Sequence, residues 1–219
     1  MGRCIIIVAG DLTVGGIDVK EDDYVIAVDG GLEYAALLEI EPDLIIGDFD
    51  SVSEQYAEAV ERIRSSVPEK VCTLPCEKDD TDTLAAIKHG LSLGYDRFLL
   101  YAAGGGRVEH TFANIQCLLY LKEHGAVGYM MDGAGMTLVL RNEEVSFNAN
   151  LEGYISVLAL SKECKGVTMT GLKYELSNET ITNSYPLGIS NEFIGVKSTV
   201  KVTEGDALVV VNYVSGEEE

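Results

Sequence analysis

Asp48 and Asp50 stand one residue apart, directly after the apolar run Leu44-Ile45-Ile46 and the turn residue Gly47. Such a run reads as a buried strand, and the glycine lets the chain turn out of it. In extended backbone, positions i and i+2 place both carboxylates on one side. At ~4 Å and an effective dielectric of ~20, the two charges repel by about 4 kcal/mol. Solvent, protonation of one member, or a shared cation would each relieve that. A second acidic group, Lys78-Asp79-Asp80-Thr81-Asp82, opens a helix whose Leu84, Ile87 and Leu91 recur at i, i+3 and i+7. Asp79 and Asp82 are three apart, which predicts a shared face at the positive end of that helix. Asp80 suits an ordinary helix-start role. Together with Asp48 and Asp50, the set suits Mg2+, which takes carboxylate oxygens alongside water and phosphate.

Gly104-Gly105-Gly106-Arg107 precedes a helix spanning about 108–124. Glycines allow close backbone approach and a helix start attracts anions, so this turn is a candidate phosphate cradle. Arg107, His110 and Asn114 follow at i, i+3 and i+7, a polar row that suits a ligand better than solvent. Phe112, Ile115 and Leu119 repeat the same spacing on a different face. His89 and His124 have no such company and read as surface residues. Neither a Walker loop nor a dinucleotide fingerprint occurs. The Asp48-x-Asp50 pair also fits a haloacid dehalogenase-type phosphatase, with Asp48 as nucleophile and Asp50 as acid. That motif usually follows the first strand, and here it follows the third.

The elements that must position these groups alternate. Apolar runs at 4–9, 24–28, 43–46, 71–74 and 97–102 read as strands, and 32–40, 53–65, 79–94 and 108–124 read as helices, with Ser53 a plausible N-cap. This pattern predicts a doubly wound, mostly parallel sheet. The turns holding Asp29, Asp48, Asp79 and the triple glycine all follow strands, where such sheets form their ligand crevice. After about residue 128 the texture changes. Short β-prone runs at 129–131, 137–141, 145–148, 154–160, 167–170, 199–202 and 207–214 show no helical period. They predict an all-β, sandwich-like domain. The expected organisation is an α/β domain over 1–130 and an all-β domain over 131–219.

With 219 residues and 47% hydrophobic content, the chain can bury one large core or two small ones. Its 36 acidic and 16 basic residues give a formal charge of -20, which argues against a nucleic-acid partner. Most of that charge serves solubility, but it also suits a cationic substrate or a polyphosphate arriving with metal. Cys4, Cys72, Cys76, Cys117 and Cys164 are odd in number and lack zinc or redox spacing, so reduced thiols in a cytoplasmic protein are expected. The short apolar start, followed by Asp11, lacks a signal-peptide pattern. No apolar segment approaches the ~20 residues that cross a bilayer, so no membrane partner is expected.

The ordered set Asp29-Gly-Gly, Gly47-Asp-Phe-Asp-Ser51, Lys78-Asp-x-Thr-Asp82 and Gly104-Gly-x-Arg-x-x-His110 with Asn114 resembles thiamine pyrophosphokinase. Gly171-Leu-Lys-Tyr174 and Gly188-Ile-Ser-Asn-Glu192 look like that family's thiamine-binding β-domain. The resemblance implies transfer of diphosphate from ATP to the hydroxyethyl group of thiamine, giving thiamine diphosphate and AMP. It implies that Asp48, Asp50 and Asp79 hold Mg2+ on the triphosphate. Thr81, Asp82, Arg107, His110 and Asn114 would line the nucleotide and phosphate site, with Asp29, Gly30, Gly31, Gly104 and Gly105. In-line attack would draw on Arg107 for charge neutralisation, and Asp79 or Asp50 would accept the proton. Family members are homodimers whose thiamine pocket lies between one subunit's α/β domain and its partner's β-domain, which Ser190 and Asn191 would join. Two departures stand out. Glu109 occupies a position where the family usually has Asp, and no Trp is present to stack on thiamine, leaving Tyr174, Tyr185 or Phe193.

Overall fold

Cys4-Ile5-Ile6-Ile7 is buried along its whole length, so both faces of that segment must be covered. Covering both faces of a strand is what a parallel sheet with helices on each side does. The computed structural model describes residues 2–49, 53–75, 77, 79–133 and 135–213, and it divides into two units at 133/134. In the first unit, strands β1 (Cys4–Ile7), β2 (Tyr24–Val28), β3 (Leu44–Gly47), β4 (Val71–Thr73), β5 (Arg97–Tyr101) and β6 (Val127–Asp132) lie in the order β6-β5-β1-β2-β3-β4. Every neighbouring pair is parallel. The helices are α1 (Gly31–Leu37), α2 (Glu54–Ser66), α3 (Asp82–Ser92) and α4 (Val108–Glu123). Ile5, Ile7, Val25, Ala27 and Ile45 share one core with Leu32 and Ala35 of α1 and Val60 of α2. The alternate strand residues Ile6, Ile26, Phe98 and Leu100 are buried too, as are Ile87 of α3 and Leu118 and Leu121 of α4. The chain winds outward from β1 to β4, then returns to the other side of β1 as β5. The order of strands therefore reverses between β1 and β5.

Three expectations need correction. The run at 129–131 lies in β6, which pairs parallel with β5, so it is a sixth strand of this sheet and not part of the β-rich half. α3 begins at Asp82, with Thr81 as N-cap accepting from the Leu84 N–H at 3.2 Å; Asp79 lies outside the helix and shares no face with Asp82. Its fully buried residues are Thr83, Ala86, Ile87 and Gly90, so of the expected row only Ile87 is fully buried. On α4 the buried residues are Asn114, Cys117, Leu118 and Leu121, while Phe112 is 55% exposed.

The second unit is all β. Strands β7 (Gly135–Arg141), β8 (Glu144–Phe147), β9 (Gly153–Ala159), β10 (Glu163–Thr170), β11 (Leu176–Thr182), β12 (Gly188–Glu192), β13 (Ser198–Lys201) and β14 (Asp206–Tyr213) form two groups, β12-β9-β14-β7 and β11-β10-β13-β8. Neighbouring strands in both groups pair antiparallel. Alternate residues Ile155, Val157 and Ala159 of β9, and Val167 and Met169 of β10, are buried, the pattern of a sandwich with two wet outer faces. A doubly wound parallel sheet followed by an all-β sandwich is the fold class that the alternation of runs predicts. The sequence reading missed β11 and β12, two group-edge strands with mostly polar residues. Cys4, Cys72, Cys117 and Cys164 are free thiols, and Cys76 lies outside the described residues. No described helix is long and apolar enough to cross a membrane.

Candidate active site

At the carboxyl ends of β1, β2 and β5 the first unit opens a cleft of about 580 Å³. Asp29 leaves β2 in a left-handed conformation, φ 46°, donating its N–H to Ile46 O at 3.0 Å and accepting from Leu32 N through its carbonyl. Its carboxyl lies over Gly47, where any Cβ would overlap it, and accepts from Phe49 N at 3.4 Å. That explains the glycine that ends β3. Burial pushes the Asp29 carboxyl up to about 6, and the charges of Asp82 and Asp48 push the same way, against the Phe49 N–H that favours the anion. Asp82 reaches this point because Thr81 stops the chain turning helical any earlier. Three carboxyl groups therefore bear on one another at the cleft.

The opposite wall comes from the exits of β1 and β5. Gly10 N donates to Ala102 O at 2.7 Å and Asp11 N to Gly104 O at 2.8 Å, and both carbonyls sit where a Cβ on Gly10 would be. Ala102, Gly105 and Gly106 all have positive φ, so the turn after β5 is tightly coiled. Asn114, 5% exposed, donates its amide to Ala103 O at 2.7 Å. Arg107 is exposed and bonds Glu109 through Nε at 2.6 Å. Glu109's own backbone N–H and then Arg107 hold its carboxyl below the usual range. Its extra methylene relative to Asp supplies the reach for that contact. Tyr34 OH donates to Gly10 O at 2.8 Å and lines the cleft.

The cleft thus brings together Asp29, Gly30, Thr81, Asp82, Gly105, Arg107, His110 and Asn114. Gly31 does not line it: it packs in α1 against the Ile7 carbonyl. Gly104 is turned to the β1 exit. Asp48 is off the wall but close enough for its charge to act on Asp29. Asp79 is exposed, beside Asp80, which pairs with Lys88 at 2.6 Å. Asp50 lies outside the described residues. Among the described residues no group of three or more ligating side chains surrounds a common point. Gly10, Glu33, Tyr34 and Thr83 also line the cleft and were missed by sequence reasoning. Glu33 accepts from Ser53 N at 3.0 Å, tying the start of α2 to α1. A glycine closing the first strand, and a first helical turn directly after Asp29-Gly30, were the available signals.

In the second unit Ser190 has φ 57° and donates its N–H to Ser156 Oγ at 3.0 Å. Asn191, 3% exposed, accepts from Tyr174 N at 2.9 Å and donates to Tyr174 O at 2.6 Å, so its amide holds the loop that presents Tyr174. Tyr174 and Tyr185 are exposed, at 60% and 66%. Phe193 packs edge-on against Phe147.

Residues 18–129 match the model of the thiamin pyrophosphokinase catalytic domain, and residues 141–208 match that of the thiamin pyrophosphokinase vitamin B1 binding domain. The thiamine pyrophosphokinase of Bacillus subtilis is 28% identical over 84% of this chain and 85% of its own. A crystal structure of thiamine pyrophosphokinase from Bacillus subtilis superposes with a TM-score of 0.83, at 28% identity, over 97% of this chain and 100% of the other. The yeast thiamin pyrophosphokinase structure has the same fold, with a TM-score of 0.75 at 15% identity over 97% of this chain and 86% of its own.

Proposed function

The chain belongs to the thiamin pyrophosphokinase family, and on that premise we propose that it transfers diphosphate from ATP to the hydroxyethyl oxygen of thiamine, releasing AMP. The observation that carries this reading is one cleft, at the β1/β5 reversal, that faces Asp29 and Asp82 with a glycine-rich turn, Arg107 and His110. In doubly wound sheets that reversal is where nucleotides bind.

The donor set suits Mg2+. Burial, and then the charges of Asp82 and Asp48, raise the Asp29 carboxyl to about 6, and a divalent cation nearby would ease that repulsion. The family resemblance assigns the metal to Asp48, Asp50 and Asp79, and Asp82 stands on the cleft wall. The ion would neutralise charge on the triphosphate. The chain's own residues do the rest. The turn at 104–107 and Arg107 receive phosphate oxygens, so the thiamine oxygen attacks the β-phosphorus in line while the bond to the α-phosphate's bridging oxygen breaks. The hydroxyl proton passes to a neighbouring carboxylate, Asp79 or Asp50. His110 and Asn114 line the nucleotide side. The second unit takes thiamine, with Ser190 on the pocket, Asn191 behind it and Tyr174 or Tyr185 as the aromatic face. The working form is a cytoplasmic homodimer.

Incubation with ATP, Mg2+ and thiamine tests this directly. AMP and thiamine diphosphate form in equal amounts. ADP with thiamine monophosphate, or phosphate released from a phosphomonoester without AMP, rejects it.

A further inference from the structure

Four consecutive carbonyls after β5 each accept from a donor outside the turn. Ala102 O takes Gly10 N, Ala103 O takes Asn114 Nδ2, and Gly104 O takes Asp11 N. Gly105 O takes Thr111 Oγ1 at 3.2 Å. The donors alternate between the β1 exit, which offers backbone N–H, and α4, which offers side chains at i and i+3. In a planar trans peptide the N–H of residue i+1 points opposite to the carbonyl of residue i. Drawing the Ala103 and Gly105 carbonyls onto α4 therefore turns the Gly104 and Gly106 N–H groups away from it. None of Gly104, Gly105 and Gly106 donates its N–H to another described residue. Gly106 lines the cleft, so its N–H, turned away from α4 and given to no described residue, is a donor that an anion at this helix start can take.

We propose that Thr111 is a positioning residue for this cradle: its hydroxyl, with the Asn114 amide, fixes the peptide orientations that aim N–H groups of the 104–107 turn at the nucleotide's phosphate chain. The inference rests on the ATP reading given above. Thr111 itself does not line the cleft; it acts through Gly105. Without the hydroxyl, the 105–106 peptide is free to flip, and a carbonyl oxygen facing a phosphate repels it. Thr111 is half-buried, so losing one hydroxyl leaves the fold intact.

The test compares wild type, Thr111→Val and Thr111→Ser by calorimetric titration with Mg-ATP and by steady-state kinetics in both substrates. Thr111→Val, which keeps shape and removes the donor, weakens Mg-ATP binding and raises the KM for ATP by about fivefold to tenfold, the size of one hydrogen bond. The KM for thiamine and the thermal midpoint without ligand stay at wild-type values, and Thr111→Ser restores ATP affinity. Wild-type Mg-ATP affinity in Thr111→Val overturns the proposal. So does an equal loss for both substrates, a drop in thermal midpoint that accounts for the loss, or failure of Thr111→Ser to rescue. The titration needs no turnover. A wild-type protein that binds Mg-ATP but makes no AMP therefore rejects the reaction and leaves the cradle to be judged by Thr111→Val alone.

Discussion

The two ends of the parallel sheet handle charge in opposite ways. At the amino ends of β1 and β2, the Asp23 side chain is 1% exposed and fully engaged: Arg3 bonds it through its guanidinium and its backbone N–H, and Lys20 N adds a third donor at 2.9 Å. Burial alone would raise its pKa, but Arg3 and the two backbone donors bring it down to about 2. Asp43 works alike, accepting from Val25 N at 2.8 Å. At the carboxyl ends, burial and then the charges of Asp82 and Asp48 raise the Asp29 carboxyl to about 6. One end pairs its charges and holds strands in register. The other brings like charges together, the arrangement that the proposed function would use. A perturbed carboxyl in a cleft is a candidate for function, whereas Asp23 is perturbed by its structural partners.

The largest way to break this contrast is at Asp82. Asp82→Asn should lower kcat/KM by about 100-fold or more, since on the proposed function its carboxylate would help hold the cation that neutralises the triphosphate. Its thermal midpoint at pH 7 should not fall. A variant with wild-type activity would remove Asp82 from the machinery. At the other end, Asp23→Asn should cost about 2–3 kcal/mol in urea unfolding, because it strands Arg3 and weakens bonds to a charged acceptor. Activity per folded molecule should be unchanged.

Asp29→Asn sharpens the comparison with a smaller effect of the opposite sign. Asn tolerates left-handed backbone and can still accept from Phe49 N. The variant should gain about 1 kcal/mol at pH 7 without Mg2+, discounted because water screens a half-buried group. The sign follows from linkage. Asp29's folded pKa of about 6 exceeds the ordinary 3.8, so its contribution is full below pH 3.8 and is lost as pH rises through 6. Subtracting the Asp29→Asn profile from wild type should give a stability difference that declines between about pH 4 and 6. For Asp23 the loss comes instead as pH falls from 3.8 through 2.

How much of this was legible in sequence depended on whether residue type reported burial. β1 to β5 were readable because a parallel strand buries both faces and so appears as a continuous apolar run. α4 misled because Asn114 is buried. A polar residue whose amide is spent on Ala103 O looks, by type, like part of a ligand-facing row, and its burial does not show in the sequence. Asp79 misled in a related way. The acidic cluster resembles a helix start, but Thr81 is the residue that caps, so the helix starts three residues after Asp79. β12 was hidden because Gly188-Ile-Ser-Asn-Glu192 buries a glycine and an asparagine and exposes its isoleucine. Motif order brought Asp29, Asp82, Arg107 and His110 onto one list. Glu33 and Tyr34 carry ordinary residue types, and only the return of β5 to the side of β1 reveals what they face.

That return has a consequence in time. Cys4 to Ile7 pair with Phe98 to Tyr101 across more than ninety intervening positions, and the seam is locked where Gly10 admits the carbonyls of Ala102 and Gly104. Closing a loop that long costs chain entropy before any of its contacts form, which makes such pairings slow relative to local ones. An assembly of β1 to β4 alone already has buried strands and two helices, yet it lacks the residues after β5 that line the cleft. The cleft is thus a property of a sheet that includes β5, and on the proposed function the recovery of nucleotide binding during refolding should mark the arrival of β5.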